Sequence, residues 1–184
     1  MTLARRTLLS HGLGLAAGAA TLSVSGVALA LSTLPVRRLA LNNLHTGETL
    51  DVDYWENGAY VPGALAEVKH VLRDHRNNEE HLIEPKLLDL LTALSTRLGT
   101  AERYEVISGY RSPQTNAILH AESHQVASGS LHMQGQAIDI RLAGLQLTHI
   151  RDAALGLGIG GVGYYPNSDF VHVDVGRVRR WSGT

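Results

Sequence analysis

The sequence predicts an α+β domain, and three observations predict it. Segments in which apolar and polar residues alternate stand near both ends of the chain, and segments with apolar residues three and four apart lie between them. The two kinds do not alternate regularly enough for a series of βαβ units. Residues 38–44 and 49–55 flank the turn His45-Thr46-Gly47-Glu48 and read as a hairpin. Residues 62–76 place Leu65, Val68, Val71 and Leu72 on one helical face, and residues 85–98 do the same with Leu87, Leu88, Leu91 and Leu94. A strand is predicted over 105–107, running into Ser108-Gly109-Tyr110-Arg111, with a helix from 113 to about 123. Residues 136–142 alternate in the strand manner, 145–157 are helical, and 161–165 with 170–175 form a final strand pair.

Composition narrows the function. The chain has 184 residues, 44% hydrophobic and 18% charged, which suits one globular domain, and no repeat or Pro/Ser-rich linker divides it. Its 16 Lys+Arg against 17 Asp+Glu give no field to hold a phosphate backbone, so nucleic-acid binding is not expected. With no cysteine, there is no disulfide, no thiolate nucleophile and no thiolate metal ligand. Histidine and the carboxylates remain as strong ligands, and there are 10 histidines.

Residues 1–30 read as an export signal. Arg5-Arg6 precede an almost uncharged run over 13–34, the pattern of twin-arginine export, and Ala28-Leu29-Ala30 offers a cleavage site. An uncleaved anchor is the alternative, because the run is about long enough to span a bilayer. Either way the domain, residues 31–184, is expected outside the cytoplasm, in the periplasm, with no stable membrane association once the signal is removed.

The chemistry gathers in the last third. His132 precedes a turn at Gly135, Asp139 lies in the strand after it, and His172 lies in the last predicted strand. If the two strands are neighbours, three ligands converge and leave a fourth position open, the arrangement of a hydrolytic zinc site. The bland alternative is a loop histidine, a turn carboxylate and a hydrogen-bonded core histidine.

Ser130-Leu131-His132-Met133-Gln134-Gly135-Gln136-Ala137-Ile138-Asp139 resembles the S-x-H-x-x-G-x-A-x-D signature of the LAS metallopeptidases, and Phe170-Val171-His172-Val173-Asp174 resembles the later histidine motif of that group. Leu41-Asn42-Asn43-Leu44-His45-Thr46-Gly47-Glu48, Ile107-Ser108-Gly109-Tyr110-Arg111-Ser112 and Gly160-Gly161-Val162-Gly163-Tyr164-Tyr165-Pro166 are similar to exported M15-type murein endopeptidases. The resemblance runs from about Arg38 to Trp181. It implies a central antiparallel sheet flanked by helices, one Zn2+ held by His132, Asp139 and His172, and hydrolysis of cross-links between peptidoglycan stem peptides. It also implies that Arg111 reaches the scissile carbonyl, where a fixed positive donor meets developing charge.

Other residues divide. Ser130 either binds substrate or caps local backbone. Tyr110 is a candidate substrate contact, although tyrosines such as Tyr110, Tyr164 and Tyr165 more often pack. The general base is Asp169 or Asp174: Asp169-x-x-His172 resembles the acid-x-x-His of LAS relatives, whereas Asp174 shares a strand face with His172. The turn Pro166-Asn167-Ser168, which frees Asp169 from the strand, favours Asp169; Asp174 then orients a ligand or merely ends the strand. His70, His75 and His81 read as solvated. Gly158-Ile159-Gly160-Gly161-Val162-Gly163 satisfies G-x-G-x-x-G but lacks the βαβ unit and ribose-binding acid of a nucleotide site. There is no H-E-x-x-H helix and no G-x-S-x-G elbow. The expectation is an exported zinc murein endopeptidase. A D,D-carboxypeptidase or dipeptidase on the same fold, and a non-catalytic zinc-containing wall-binding module, stand as alternatives.

Overall fold

The computed structural model of the protein describes residues 31, 33–123 and 126–183. The expected signal over residues 1–30 lies outside the described residues. Among the described residues no helix is long and apolar enough to cross a membrane.

Alternation makes the first strand. In β1 (Val36–Asn43), Arg37, Leu39, Leu41 and Asn43 turn inward while their neighbours are more exposed. β2 (Thr49–Glu56) returns antiparallel to it, and β3 (Ala59–Tyr60) extends the meander. The inward Arg37 is matched by Asp89: its Nη1 donates to Oδ1 at 2.7 Å, and the hydroxyls of Tyr54 and Tyr60 donate to the same carboxylate at 3.0 and 2.8 Å. Among the described residues, β4 (Tyr104–Ser108), β5 (Ala137–Leu142), β6 (Gly161–Tyr165), β7 (Phe170–Asp174) and β8 (Arg179–Ser182) complete an eight-stranded sheet in the order β3-β2-β1-β4-β5-β7-β6-β8. The sheet is mixed. β1 pairs with β4, and β6 with β8, in parallel, and the other pairings are antiparallel. Long connections permit this; two helices separate β1 and β2 from β4.

Those helices are α1 (Pro62–Val71) and α2 (Pro85–Leu98), each opened by a proline in its first turn; α3 (Pro113–Glu122) and α4 (Leu147–Leu157) follow later. α1 packs on β2, and α2 packs on β1 and on α4, which covers β5 to β7. Leu87, Leu88, Leu91 and Leu94 of α2 are wholly buried, and each contributes roughly 1.5–3 kcal/mol. In the site region alternation divides the sheet faces. Ile138, Ile140, Val171 and Val173 join the core with Ile150 and Leu157, which turns Asp139, His172 and Asp174 to the opposite face.

α1 is shorter than the expected 62–76. It stops at Val71 because the chain turns to bury Asp74, whose N–H donates to Glu79 O at 2.9 Å while its own carbonyl accepts Asn78 N–H at 2.7 Å. A carboxylate at 0% exposure needs donors that a continuing helix would not supply.

Candidate metal centre

β5 and β7 are paired so that Asp139 stands directly opposite His172, and His172 Nδ1 comes within 2.9 Å of Asp139 Oδ1. The third group arrives on a single 3-10 turn, Leu131–Gln134. Ser130 caps that turn by accepting the His132 N–H through Oγ at 3.3 Å. Gly135 closes it in the left-handed region, φ 62°, where an added Cβ would stand 2.1 Å from Leu82 O. So seated, His132 Nε2 lies 3.2 Å from His172 Nδ1 and 3.3 Å from Asp139 Oδ1. All three residues are buried, and one potential ligand atom from each falls within 4.8 Å of the others.

The outer partners of the imidazoles fix their tautomers. His132 Nδ1 is 2.7 Å from the carbonyl of Gly109, which can only accept, so Nδ1 carries the proton and Nε2 presents a lone pair. His172 Nε2 is 3.0 Å from Asp174 Oδ2, which likewise turns the lone pair of Nδ1 inward. Two nitrogen lone pairs and a carboxylate oxygen facing one another repel unless a positive charge sits among them. The electrostatics agree. Burial opposes a charge on His172, yet Asp139 and Asp174 on its two sides push its pKa up to about 9. Burial also opposes ionisation of Asp139, but His132 and His172 hold its carboxyl far below the usual range. The arrangement favours positive charge at its middle, and the three residues could hold a metal ion there. Two imidazole nitrogens with one carboxylate oxygen are a donor set that fits zinc.

A cleft of about 350 Å³ opens over this cluster and is also lined by Arg111 and Ser130. Arg111 is anchored by its backbone N–H, which donates to His132 O at 3.2 Å. Among the described residues its guanidinium makes only long contacts, 3.4 Å to Asn116 Oδ1, 3.4 Å to Ser108 Oγ and 3.9 Å to Asp139 Oδ2, and its buried Nε has no partner there. Burial depresses its pKa, a sign of a cation short of compensation. A carbonyl or carboxylate oxygen entering the cleft would supply what is missing.

A family model described as peptidoglycan L,D-endopeptidase MepK matches residues 31–181. The chain belongs to this family. It is 47% identical over 177 residues to the peptidoglycan L,D-endopeptidase MepK of Escherichia coli strain K12, with 96% of each chain covered. The same identity and coverage hold for the MepK of Shigella flexneri. A protein named probable peptidoglycan L,D-endopeptidase MepK in Haemophilus influenzae is 41% identical over 174 residues, 88% of this chain and 94% of that one.

Within this MepK-family chain the two rival acids occupy very different places. Asp174 is wholly buried and both its oxygens are committed. Oδ1 accepts the N–H groups of Gly161 and Gly176 at 2.9 Å each and Arg179 Nη1 at 3.0 Å, while Oδ2 meets His172 Nε2 and accepts Arg179 Nη2 at 2.7 Å. Burial would raise the Asp174 carboxyl, but these donors hold it well below the ordinary range. Asp169 sits outside β7 with φ 54°, its side chain 63% exposed and its Oδ2 accepting Arg141 Nη1 at 2.7 Å. Tyr110 does not line the cleft: its ring is buried and stacked on His81, and its hydroxyl donates to Glu79. Ser130 both caps the 3-10 turn and lines the cleft. Arg179 and Trp181 also line the cleft, and no sequence motif marks them. They stand on β8, a four-residue edge strand whose Arg-Arg-Trp-Ser carries no period-2 signal.

Proposed function

We propose that the protein is a zinc-dependent peptidoglycan endopeptidase that cuts amide cross-links between stem peptides. The observation that carries this is the inward-facing trio of His132 Nε2, Asp139 Oδ1 and His172 Nδ1 beneath an open cleft. Membership of the MepK family supports it, and the relatives' names point to an amide between an L-centre and a D-centre. Arg5-Arg6 ahead of the apolar run supports action in the periplasm after twin-arginine export.

In this reading His132, Asp139 and His172 are the ligands. Zinc held by them supplies Lewis acidity toward a carbonyl oxygen and toward water. The chain does the rest. Arg111 points an under-bonded guanidinium into the cleft and stabilises negative charge developing on the scissile oxygen. Asp174 accepts the Nε2 proton of His172 and so keeps Nδ1 free to ligate; with both oxygens occupied it has no lone pair to spare for a water. That leaves Asp169 as the base, which takes a proton from the attacking water and returns it to the leaving amine. Its carboxylate is exposed and tied to the surface Arg141, and its chain neighbours Ser168 and Phe170 line the cleft, so to act as the base it would have to leave Arg141 and turn toward the metal ligands.

The test is incubation of the purified domain with cross-linked muropeptide dimers, with and without a chelator. Conversion of dimers to monomers that stops on chelation is expected. Release of terminal D-alanine with dimers intact would make the protein a carboxypeptidase, and no release at all would leave a binding module.

A further inference from the structure

β8 runs parallel to β6, with Arg179 beside Gly161 and Trp181 beside Gly163. These glycines are not filled space. A Cβ on Gly161 would stand 2.3 Å from Arg179 Nη1, and one on Gly163 would stand 2.6 Å from Cε2 of the Trp181 ring. Because β6 carries no side chains at these two points, those of β8 cross over it and reach β7. Arg179 meets Asp174, and the Trp181 ring lies tilted against His172 with centroids 5.1 Å apart. The glycine-rich stretch that looks like a nucleotide motif is a bare lane across the sheet.

Trp181 is not a core residue. It is half-buried and lines the cleft. Its indole N–H donates to the Tyr165 hydroxyl at 2.8 Å, Tyr165 stacks on Phe170 at 4.5 Å, and the Arg179 guanidinium lies 4.8 Å from its ring centroid. One edge is tethered and a cation holds the ring, so the indole is fixed before any ligand arrives. A rigid aromatic surface offers apolar contact at little cost in conformational entropy.

Resting on the endopeptidase reading, we propose that Trp181 is a substrate-binding residue: its ring receives the aliphatic side chain of the stem-peptide residue next to the scissile amide. Arg111 offers a polar contact in the cleft, and Trp181 an apolar one against the ligand His172. The residue contacts substrate in the ground state and the transition state alike, so its loss weakens binding more than turnover.

Two measurements test this. In kinetics on cross-linked muropeptide dimers, Trp181→Ala should raise KM about tenfold while kcat changes less than about threefold, with zinc content unchanged and Trp181→Phe recovering most of the loss. An unchanged KM, or a fall in kcat accompanied by loss of zinc, overturns the proposal, because the ring would then only support His172. The second measurement needs no turnover. The chain has two tryptophans, and Trp55 lies on β2 with its ring over Arg37, so a Trp55→Phe variant reports Trp181 alone. Adding dimers to that variant in chelator should change its emission; an unchanged spectrum at saturating dimer overturns the proposal. If the emission responds and wild-type protein with zinc cleaves nothing, the Trp181 contact stands and the endopeptidase reading falls.

Discussion

Asp74 Oδ2 accepts the backbone N–H of Ser112 at 2.9 Å across 38 positions of sequence. Its other oxygen accepts the N–H of Arg76 at 3.1 Å, and Leu72 O accepts the N–H of Tyr110 at 2.7 Å. The segment after α1 therefore grips the residues on both sides of Arg111. The site's arginine is held by a buried carboxylate that never enters the cleft.

Burial would raise the Asp74 carboxyl, but donors from Thr115, Ser112 and Arg76 lower it from its ordinary 3.8. With the folded value below the unfolded one, its stabilisation is present above 3.8 and lost as pH falls through the folded value. Asp74→Ala should cost roughly 1–3 kcal/mol at neutral pH by stranding buried donors. Asp74→Asn should lower Tm at pH 7 and differ less from wild type near pH 3. Thermal unfolding followed by circular dichroism checks this, and an equal gap at both pH values counts against it.

Replacing His132, Asp139 or His172 by Ala should reduce bound zinc from about one per chain to a trace and abolish cleavage. Metal analysis after dialysis decides each residue separately. A variant that keeps full occupancy is not missing a ligand.

The two acids should separate by what each loses. Asp169→Asn should lower turnover by about 10²- to 10⁴-fold with zinc still bound. Asp174→Asn should weaken zinc affinity by about 10- to 100-fold, since it acts through His172. Competition with a chromogenic chelator reads affinity, and a dimer assay at saturating zinc reads turnover. Near-normal turnover in Asp169→Asn together with a collapse in Asp174→Asn at saturating zinc would move the base to Asp174.

Arg111→Lys keeps the charge but loses the planar fork. It should lower kcat by about 10²- to 10³-fold with a much smaller change in KM, as expected for a contact that strengthens when charge develops. Steady-state kinetics on dimers would show a rise in KM alone if the residue only binds.

Changing Arg5 and Arg6 together to Lys should leave precursor in the cytoplasm, if export follows the twin-arginine route. Fractionation and immunoblotting measure it, and unchanged periplasmic levels exclude that route.

Much of the fold was visible in the sequence because its signals are local. α2 shows a leucine face and an N-terminal proline, and β5 with β7 alternate around apolar residues, so element type could be inferred, whereas alternation alone does not say that β5 and β7 are neighbours, the condition on which Asp139 meets His172. The end of α1 could not, because it depends on Ser112, far along the chain. β8 was missed for a related reason: Arg179 and Trp181 look like surface residues until Gly161 and Gly163 let them cross β6. His81 is exposed, as its place beside a helix face predicts, and its ring also stacks on Tyr110, a contact between segments that no local pattern announces.

The left-handed backbone of Asp169 bears on which acid can stand there. At φ 54° an L-residue with a long side chain is disfavoured by roughly 1–2 kcal/mol, whereas Asp and Asn visit this region comparatively readily. The shorter acid is the one the turn tolerates. Reach toward the cleft and ease of the loop conformation are thus in competition at this position. Exchanging Asp169 for Glu would gain a methylene of length and lose conformational compatibility, and the loop would have to reshape before the longer carboxylate could be used.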